Sequence, residues 1–128
     1  MAVQRIVIGE SEQRRPVPGG PVAEVVIGPG DDWPMGVVHV TVPARGGMPA
    51  HDHGPSATLL IPLSGAVRVV EEDGGSRVTE VESGALATIP VGQRVRLENS
   101  GEGEARLLVV LAPPGFAARV ANWLRAEG

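Results

Sequence analysis

Several side chains that carry common enzyme chemistry are missing from this 128-residue sequence. There is no cysteine, which excludes disulfides, a thiolate nucleophile and sulfur ligands for a metal. There is no tyrosine, and all 11 basic residues are arginine, so a phenolic acid and a lysine Schiff base are also excluded. Any chemistry must therefore rest on histidine, aspartate, glutamate, serine, threonine, arginine or a bound metal.

The charge and the apolar runs narrow the class of protein further. A net charge of -4 argues against a nucleic-acid partner, which requires a basic face. No run approaches the roughly 20 apolar residues of a membrane span. Residues 1–8 lack the long apolar core of a signal peptide. We therefore expect a cytoplasmic protein of one domain, with no membrane or nucleic-acid partner.

Turn-forming residues are frequent, with 18 glycines and 12 prolines. Many turns in a short chain favour several short strands over a few long helices. Residues 5–8 are a candidate edge strand, 9–21 a loop or loose arm, and 43–49 a turn. Further strands are predicted at 22–27, 36–42, 57–63, 66–72, 77–81, 86–89, 94–98 and 105–111.

The C-terminal residues follow a different period. Phe116, Val120, Trp123 and Leu124 recur at helical spacing, which predicts a short helix over residues 116–126. The chain is therefore expected to be an all-β barrel or sandwich with a short C-terminal α-helix. We divide it into an N-terminal arm (1–21), a barrel (22–112) and the C-terminal helix (113–128), all within one domain.

The three histidines are the most informative polar residues. His51 and His53 lie two apart before an apolar run, and such residues of a strand share one face, so both imidazoles can share one ion or ligand. His39 lies upstream in a predicted strand whose residues alternate between two faces, and either face can point inward. If it faces inward with Val37, it can complete a three-histidine site. If Val38, Val40 and Val42 face inward, His39 points outward. This second direction is favoured, because these three apolar, β-branched residues prefer the interior.

The histidines and turns together resemble the first motif of the cupin superfamily, G-x5-H-x-H-x(3,4)-E-x6-G. Here His51 and His53 are followed by four residues, then Thr58, then six residues and Gly65. The leading glycine is offset by one, since four residues, and not five, separate Gly46 from His51. The second cupin motif, G-x5-P-x-G-x2-H-x3-N, also matches in spacing. Its positions are filled by Gly84, Pro90, Gly92, Val95 and Asn99.

The resemblance covers residues 36–111 and implies a small single-domain bacterial cupin. Its fold would be a double-stranded β-helix, a jelly-roll barrel whose ligands bind in the barrel mouth. Members with a full site hold one divalent metal with three histidines and a glutamate. Here His51 and His53 carry over, whereas Thr58 replaces the glutamate and Val95 the last histidine.

Two interpretations of this site follow. In one, His51 and His53 hold a divalent transition metal (Zn, Ni, Fe or Mn), with His39 as a third ligand if it faces inward. In the other, the replacements make a neutral cavity for a small, partly apolar ligand, in which an imidazole can serve as acid or base. The residues expected to line that cavity are Thr58, Leu60, Val95 and Leu97.

These interpretations predict a small-molecule-binding cupin. If it is an enzyme, the resemblance allows metal-dependent oxygenation or isomerisation. The alternative is a non-catalytic, ligand-sensing or structural cupin that has lost its metal site. The resemblance also implies a homodimer, for which residues 1–21 and the helix stripe with Trp123 are candidate surfaces.

Overall fold

The computed structural model describes residues 3–15, 20–72, 77–117, 120 and 124–125. These residues form eleven antiparallel strands in two sheets, together with the short 3-10 helices Pro29–Asp31 and Pro114–Phe116. The strands are β1 (Gln13–Arg15), β2 (Val22–Ile27), β3 (Gly36–Val42), β4 (Gly47–His51), β5 (Ala57–Ser64), β6 (Ala66–Glu71), β7 (Val78–Glu82), β8 (Ala87–Ile89), β9 (Val95–Glu98), β10 (Ala105–Ala112) and β11 (Leu124–Arg125). The predicted all-β class is confirmed.

The two sheets pack face to face. The larger has the strand order β11-β1-β2-β3-β10-β5-β8, and the smaller has the order β4-β9-β6-β7. Consecutive strands of the chain change sheets repeatedly, as in a jelly-roll barrel. Sheet-on-sheet packing leaves a single apolar layer between the inner faces.

The core lies in that layer and follows the two-residue period of the strands. On β10 the buried residues alternate with more exposed ones, and Leu107 and Leu111 are completely buried. On the neighbouring β3, Val38, Val40 and Val42 are buried. Each such valine or leucine contributes about 1.5–3 kcal/mol by leaving water. The inward direction of the three β3 valines decides where His39 can point.

Tight contacts at two glycines and the hydrogen bonds of one buried asparagine hold the strands that carry the site in position. Gly65 joins β5 to β6 with φ of +76°, and Ala105 packs against it. A side chain at Gly47 would collide with the carbonyl group of Leu97 on the paired strand β9. The buried Asn99 side chain donates to the carbonyl oxygens of Val42, Pro43 and Gly103. These contacts hold the loop between β9 and β10 against the end of β3.

Two strands form where the sequence predicted loops. β1 lies within the predicted loop 9–21, and β4 begins within the predicted turn 43–49. Residues 5–8, predicted as an edge strand, are not a strand. The reason is Glu24, a buried carboxylate that accepts hydrogen bonds from the backbone of Gly9 and Ser11 and from the side chain of Gln13. These bonds bring 13–15, rather than 5–8, alongside β2.

Within the predicted helix over 116–126, Ala117 and Val120 have a helical backbone, whereas Leu124 and Arg125 belong to a strand. Residues 118–119, 121–123 and 126, including Trp123, lie outside the described residues. Leu124 and Arg125 form β11, which pairs with Arg15 and Arg14 of β1. Their backbone bonds therefore complete an edge of the larger sheet instead of continuing a helix. Ala117 and Val120 are buried and join the core.

No helix among the described residues is long and apolar enough to cross a membrane.

Candidate functional site

A narrow apolar pocket lies between the two sheets. Its volume is about 30 Å³. Both His51 and His53 contribute to its wall. The described lining residues are Val38, Val40, Met48, His51, His53, Leu60, Ile89, Val95, Leu97, Val109, Leu111 and Val120.

His51 is the last residue of β4, and it faces Val95 on β9. Its Nδ1 atom lies 2.8 Å from the carbonyl oxygen of Pro49. Because a carbonyl oxygen only accepts, Nδ1 carries the proton in this contact. In the neutral ring, Nε2 then carries the lone pair.

His53 lies in the tight loop between β4 and β5 and is only 6% exposed. The carboxylate of Asp52 accepts from the backbone N–H of Gly54 at 2.8 Å, and the N–H of Ser56 donates to the carbonyl of His53 at 3.1 Å. The hydroxyl of Ser56 donates to the carbonyl of Pro113 at 2.6 Å. This anchors the loop to the end of β10, so the position of His53 is set by the fold.

The two imidazoles meet edge to face. Their ring centroids are 4.9 Å apart and the ring planes cross at 76°. Around them the lining is otherwise aliphatic or thioether. The arrangement can hold one polar group of a ligand, while the rest of the pocket excludes water from it.

His39 does not join this pair. Val38 and Val40, its neighbours on β3, line the pocket, so its side chain points to the opposite face of the sheet. There the Nε of Arg106 donates to His39 Nε2 at 3.3 Å. Burial and the positive charge of Arg106 lower the pKa of His39, while Glu24 opposes the shift. The alternative in which His39 is a third ligand is therefore not the arrangement found.

The family model for the cupin domain matches residues 38–111. The chain belongs to the cupin family. No curated protein sequence matches this cupin significantly.

Solved structures of other cupins and double-stranded β-helix proteins share its fold. One is an uncharacterised conserved protein with a double-stranded β-helix domain from Klebsiella pneumoniae, at 24% identity and a TM-score of 0.67, covering 90% of this chain and 91% of that one. The polyketide cyclase RemF from Streptomyces resistomycificus is 21% identical with a TM-score of 0.72, covering 87% and 80%. A variant of oxalate decarboxylase from Bacillus subtilis is 19% identical with a TM-score of 0.75, covering 97% of this chain and 33% of that one.

Thr58 and Val95 occupy this cupin's two replaced ligand positions. Val95 lines the pocket, as do Leu60 and Leu97, the other predicted cavity residues. Thr58 is 3% exposed and does not itself line the pocket, but it lies within its wall, because its strand neighbours Ile89 and Leu111 both line it. Within the described part of the chain, the Thr58 hydroxyl is buried with no hydrogen-bond partner.

The donor set is short of what a resident metal ion requires. Catalytic zinc sites usually offer three protein ligands, and the pocket offers two imidazoles. A threonine hydroxyl is a weak donor for these ions, and valine has no donor atom. Among the described residues, no group of three or more histidine, aspartate or glutamate side chains is placed to hold an ion. The residues therefore do not fit the complete cupin metal site.

Several pocket residues were not predicted. The alternation of β3 indicates Val38 and Val40 as inward residues. Met48 on β4 and Val109 on β10 reach the pocket only through the pairing of strands within the sheets, and Val120 reaches it from the segment between β10 and β11. Val120 had a sequence signal in the apolar stripe at the C-terminus. Met48 had none, because its strand was hidden in a segment rich in glycine and proline.

Proposed function

We propose that this cupin binds a small organic ligand that has an apolar body and one polar group. The observation that carries the proposal is the lining of the pocket, where His51 and His53 are the polar residues among aliphatic and thioether side chains. Such a wall favours an apolar body by the hydrophobic effect, and the imidazoles set its orientation.

The chemistry of the two rings supports this mode of binding. The contact between His51 Nδ1 and the Pro49 carbonyl leaves Nε2 as a hydrogen-bond acceptor. A hydroxyl or amide N–H of the ligand can donate to it. The small volume limits the ligand to a few carbon atoms unless the wall moves, and Met48, with its unbranched side chain, is the lining residue best able to rearrange.

A metal ion has a secondary place in the proposal. His51 and His53 can hold a divalent transition metal (Zn, Ni, Fe or Mn) through two bonds, so the ion would bind weakly and exchange. We therefore derive no step through a metal, and we do not propose the oxygenase- or isomerase-like reactions that depend on one.

Two roles remain for ligand binding at this site. A non-catalytic, ligand-sensing role is the simpler, since it needs only the pocket. Acid–base chemistry on the ligand is the second candidate, and the Nε2 acceptor of His51 favours it. The polyketide cyclase and the oxalate decarboxylase resemble this chain at 21% and 19% identity, which supports a shared fold and not a shared reaction.

Isobutanol is a suitable probe, because it combines a branched apolar body with one hydroxyl. The chain has only three histidines, so their ring C–H signals can be followed by NMR during a titration. We expect saturable shifts of His51 and His53, with His39 on the opposite face as an internal reference. Ethylene glycol, which lacks the apolar body, is the matched control. Equal responses to both probes, or equal responses of all three histidines, would refute the proposal.

We also propose that the chain acts as a homodimer. Of the surfaces predicted for it, residues 1–2, 16–19 and Trp123 lie outside the described residues.

A further inference from the structure

A second hollow lies on the outer side of the smaller sheet, beside the turn that joins β5 to β6. Its volume is about 230 Å³, compared with about 30 Å³ for the pocket between the sheets, and no described residue lines both. The side chain of Ala66 faces this outer side, because Val67, the next residue of β6, is buried in the core. A methyl group there, beside Gly65, leaves space that larger side chains would fill.

The loop between β9 and β10 forms one wall of the hollow, and hydrogen bonds of the buried Asn99 fix its shape. The Asn99 side chain accepts from the backbone N–H of Gly101 at 3.0 Å and donates to the carbonyl oxygen of Gly103 at 2.9 Å. At the floor, Gly65 has a φ of +76°, and an added Cβ would lie 3.1 Å from Ala105. The hollow is therefore formed before a ligand arrives, so binding requires little ordering of the chain.

Three charged side chains line the hollow and have no partner. Arg68 lies directly opposite Glu80 in the register of β6 and β7, and Glu104 follows the loop on the other side. Among the described residues, none of these three side chains has an ion pair or a hydrogen bond. Glu98, the other cross-strand neighbour of Arg68, is occupied by Arg96 at 2.7 Å. The hollow thus holds one guanidinium and two carboxylates that remain available to a ligand.

We propose that this hollow binds a small basic amino acid, with the ligand carboxylate on Arg68 and its amino groups on Glu80 and Glu104. A guanidinium presents a fork of N–H donors that matches a carboxylate. The two glutamates would repel a simple anion, and the arginine would repel a simple cation, so a ligand with both charges fits best.

The charge and the size of the hollow narrow the class of zwitterion. Two carboxylates against one guanidinium leave a net charge of -1, which favours a ligand with two ammonium groups and one carboxylate. Pockets for drug-sized ligands measure roughly 300–1,000 Å³. A hollow of about 230 Å³ therefore suits a smaller molecule such as a single amino acid.

Isothermal titration calorimetry with L-lysine tests the inference. The wild type should bind lysine saturably at low ionic strength, and added salt should weaken the binding because the site is open to water. Cadaverine differs from lysine only by the missing carboxylate, and hexanoate lacks both amino groups. Each should bind about tenfold more weakly than lysine or worse, since each loses charge-assisted hydrogen bonds.

Two substitutions test the hollow itself, and a third serves as the control. Arg68→Gln removes the carboxylate donor, and Ala66→Leu fills the floor without changing any charge, so each should weaken lysine binding by about tenfold. Arg77→Gln removes the same charge from a side chain that is 80% exposed and does not line the hollow, and it should bind lysine like the wild type. Circular dichroism confirms that each variant is folded.

The outcomes distinguish this site from the pocket between the sheets. Absence of saturable lysine binding, or equal binding of lysine and cadaverine, overturns the inference. So does an equal loss in Arg68→Gln and Arg77→Gln, which would indicate an effect of overall charge. In NMR spectra, lysine should shift the backbone amide signals of Gly101 and Gly103 and leave the ring signals of His51 and His53 in place. Shifts of the two histidines alone would place lysine in the other pocket and overturn the assignment.

Discussion

Replacing Thr58 with valine should make the protein more stable, although the replacement removes a polar group from a site proposed to bind a ligand. The Thr58 hydroxyl is buried within the pocket wall with no hydrogen-bond partner in the described part of the chain. A buried hydroxyl without a partner costs about 1–3 kcal/mol in desolvation. Valine has nearly the same shape and lacks that cost, so Thr58→Val should raise the free energy of unfolding by about this amount.

The expected change is large enough to measure. For a chain of this length the entropy of unfolding is roughly 0.27 kcal/mol/K, so the melting temperature should rise by about 4–11 °C. Calorimetry or circular dichroism can record it. Thr58→Ser keeps the hydroxyl and removes a methyl group, so it should melt lower than the wild type. Thr88→Val changes an exposed threonine on the neighbouring strand and should alter stability by less than about 0.5 kcal/mol. A Thr58→Val variant that melts at or below the wild type would refute the reasoning, since the hydroxyl would then be stabilising.

Two further predictions follow from the placement of the histidines. Val95→His adds a third imidazole on the strand paired with that of His51, and it should create a cobalt site with the visible absorption of tetrahedral Co(II). Adding His53→Ala to this variant should remove the absorption. An absorption spectrum that survives this second substitution would contradict the assigned geometry. Because burial and Arg106 hold the pKa of His39 below its usual 6.5, the unfolded chain takes up this proton at a higher pH than the folded one. The free energy of unfolding should therefore fall as the pH drops through 6.5. Urea unfolding at pH 7.5 and 5.5 should show a smaller fall in His39→Gln than in the wild type. An equal fall in the two proteins would count against this role of His39.

Much of the fold could be predicted from the sequence because its strands have strong local signals. β2 and β3 match the predicted bounds completely, since runs of β-branched residues are bordered by glycine and proline. β1 and β4 could not be predicted in this way. They depend on pairing with distant segments, and for β1 on the hydrogen bonds that the Glu24 carboxylate makes to Gly9 and Ser11. Such long-range contacts leave no local pattern.

The site was predictable in part for a similar reason. His51 and His53, two residues apart, line one pocket, but His53 lies in the loop after β4 and not on the shared strand face that the spacing assumed. The second cupin motif includes Val95, which lies opposite His51. The sequence allows two directions for His39, because one face of its strand carries only valines and the other carries a valine, a histidine and a threonine. Packing decides between them, since the interior takes Val38 and Val40.

We propose that the two imidazoles bind a small organic ligand and hold no resident metal ion. The most direct measurement is the metal content of protein expressed without a His-tag in metal-replete medium, for the wild type and for His51→Ala and His53→Ala. The account predicts far less than one equivalent of zinc, nickel, iron or manganese in the wild type and little change in either variant. One full equivalent in the wild type, lost in both variants, would contradict it.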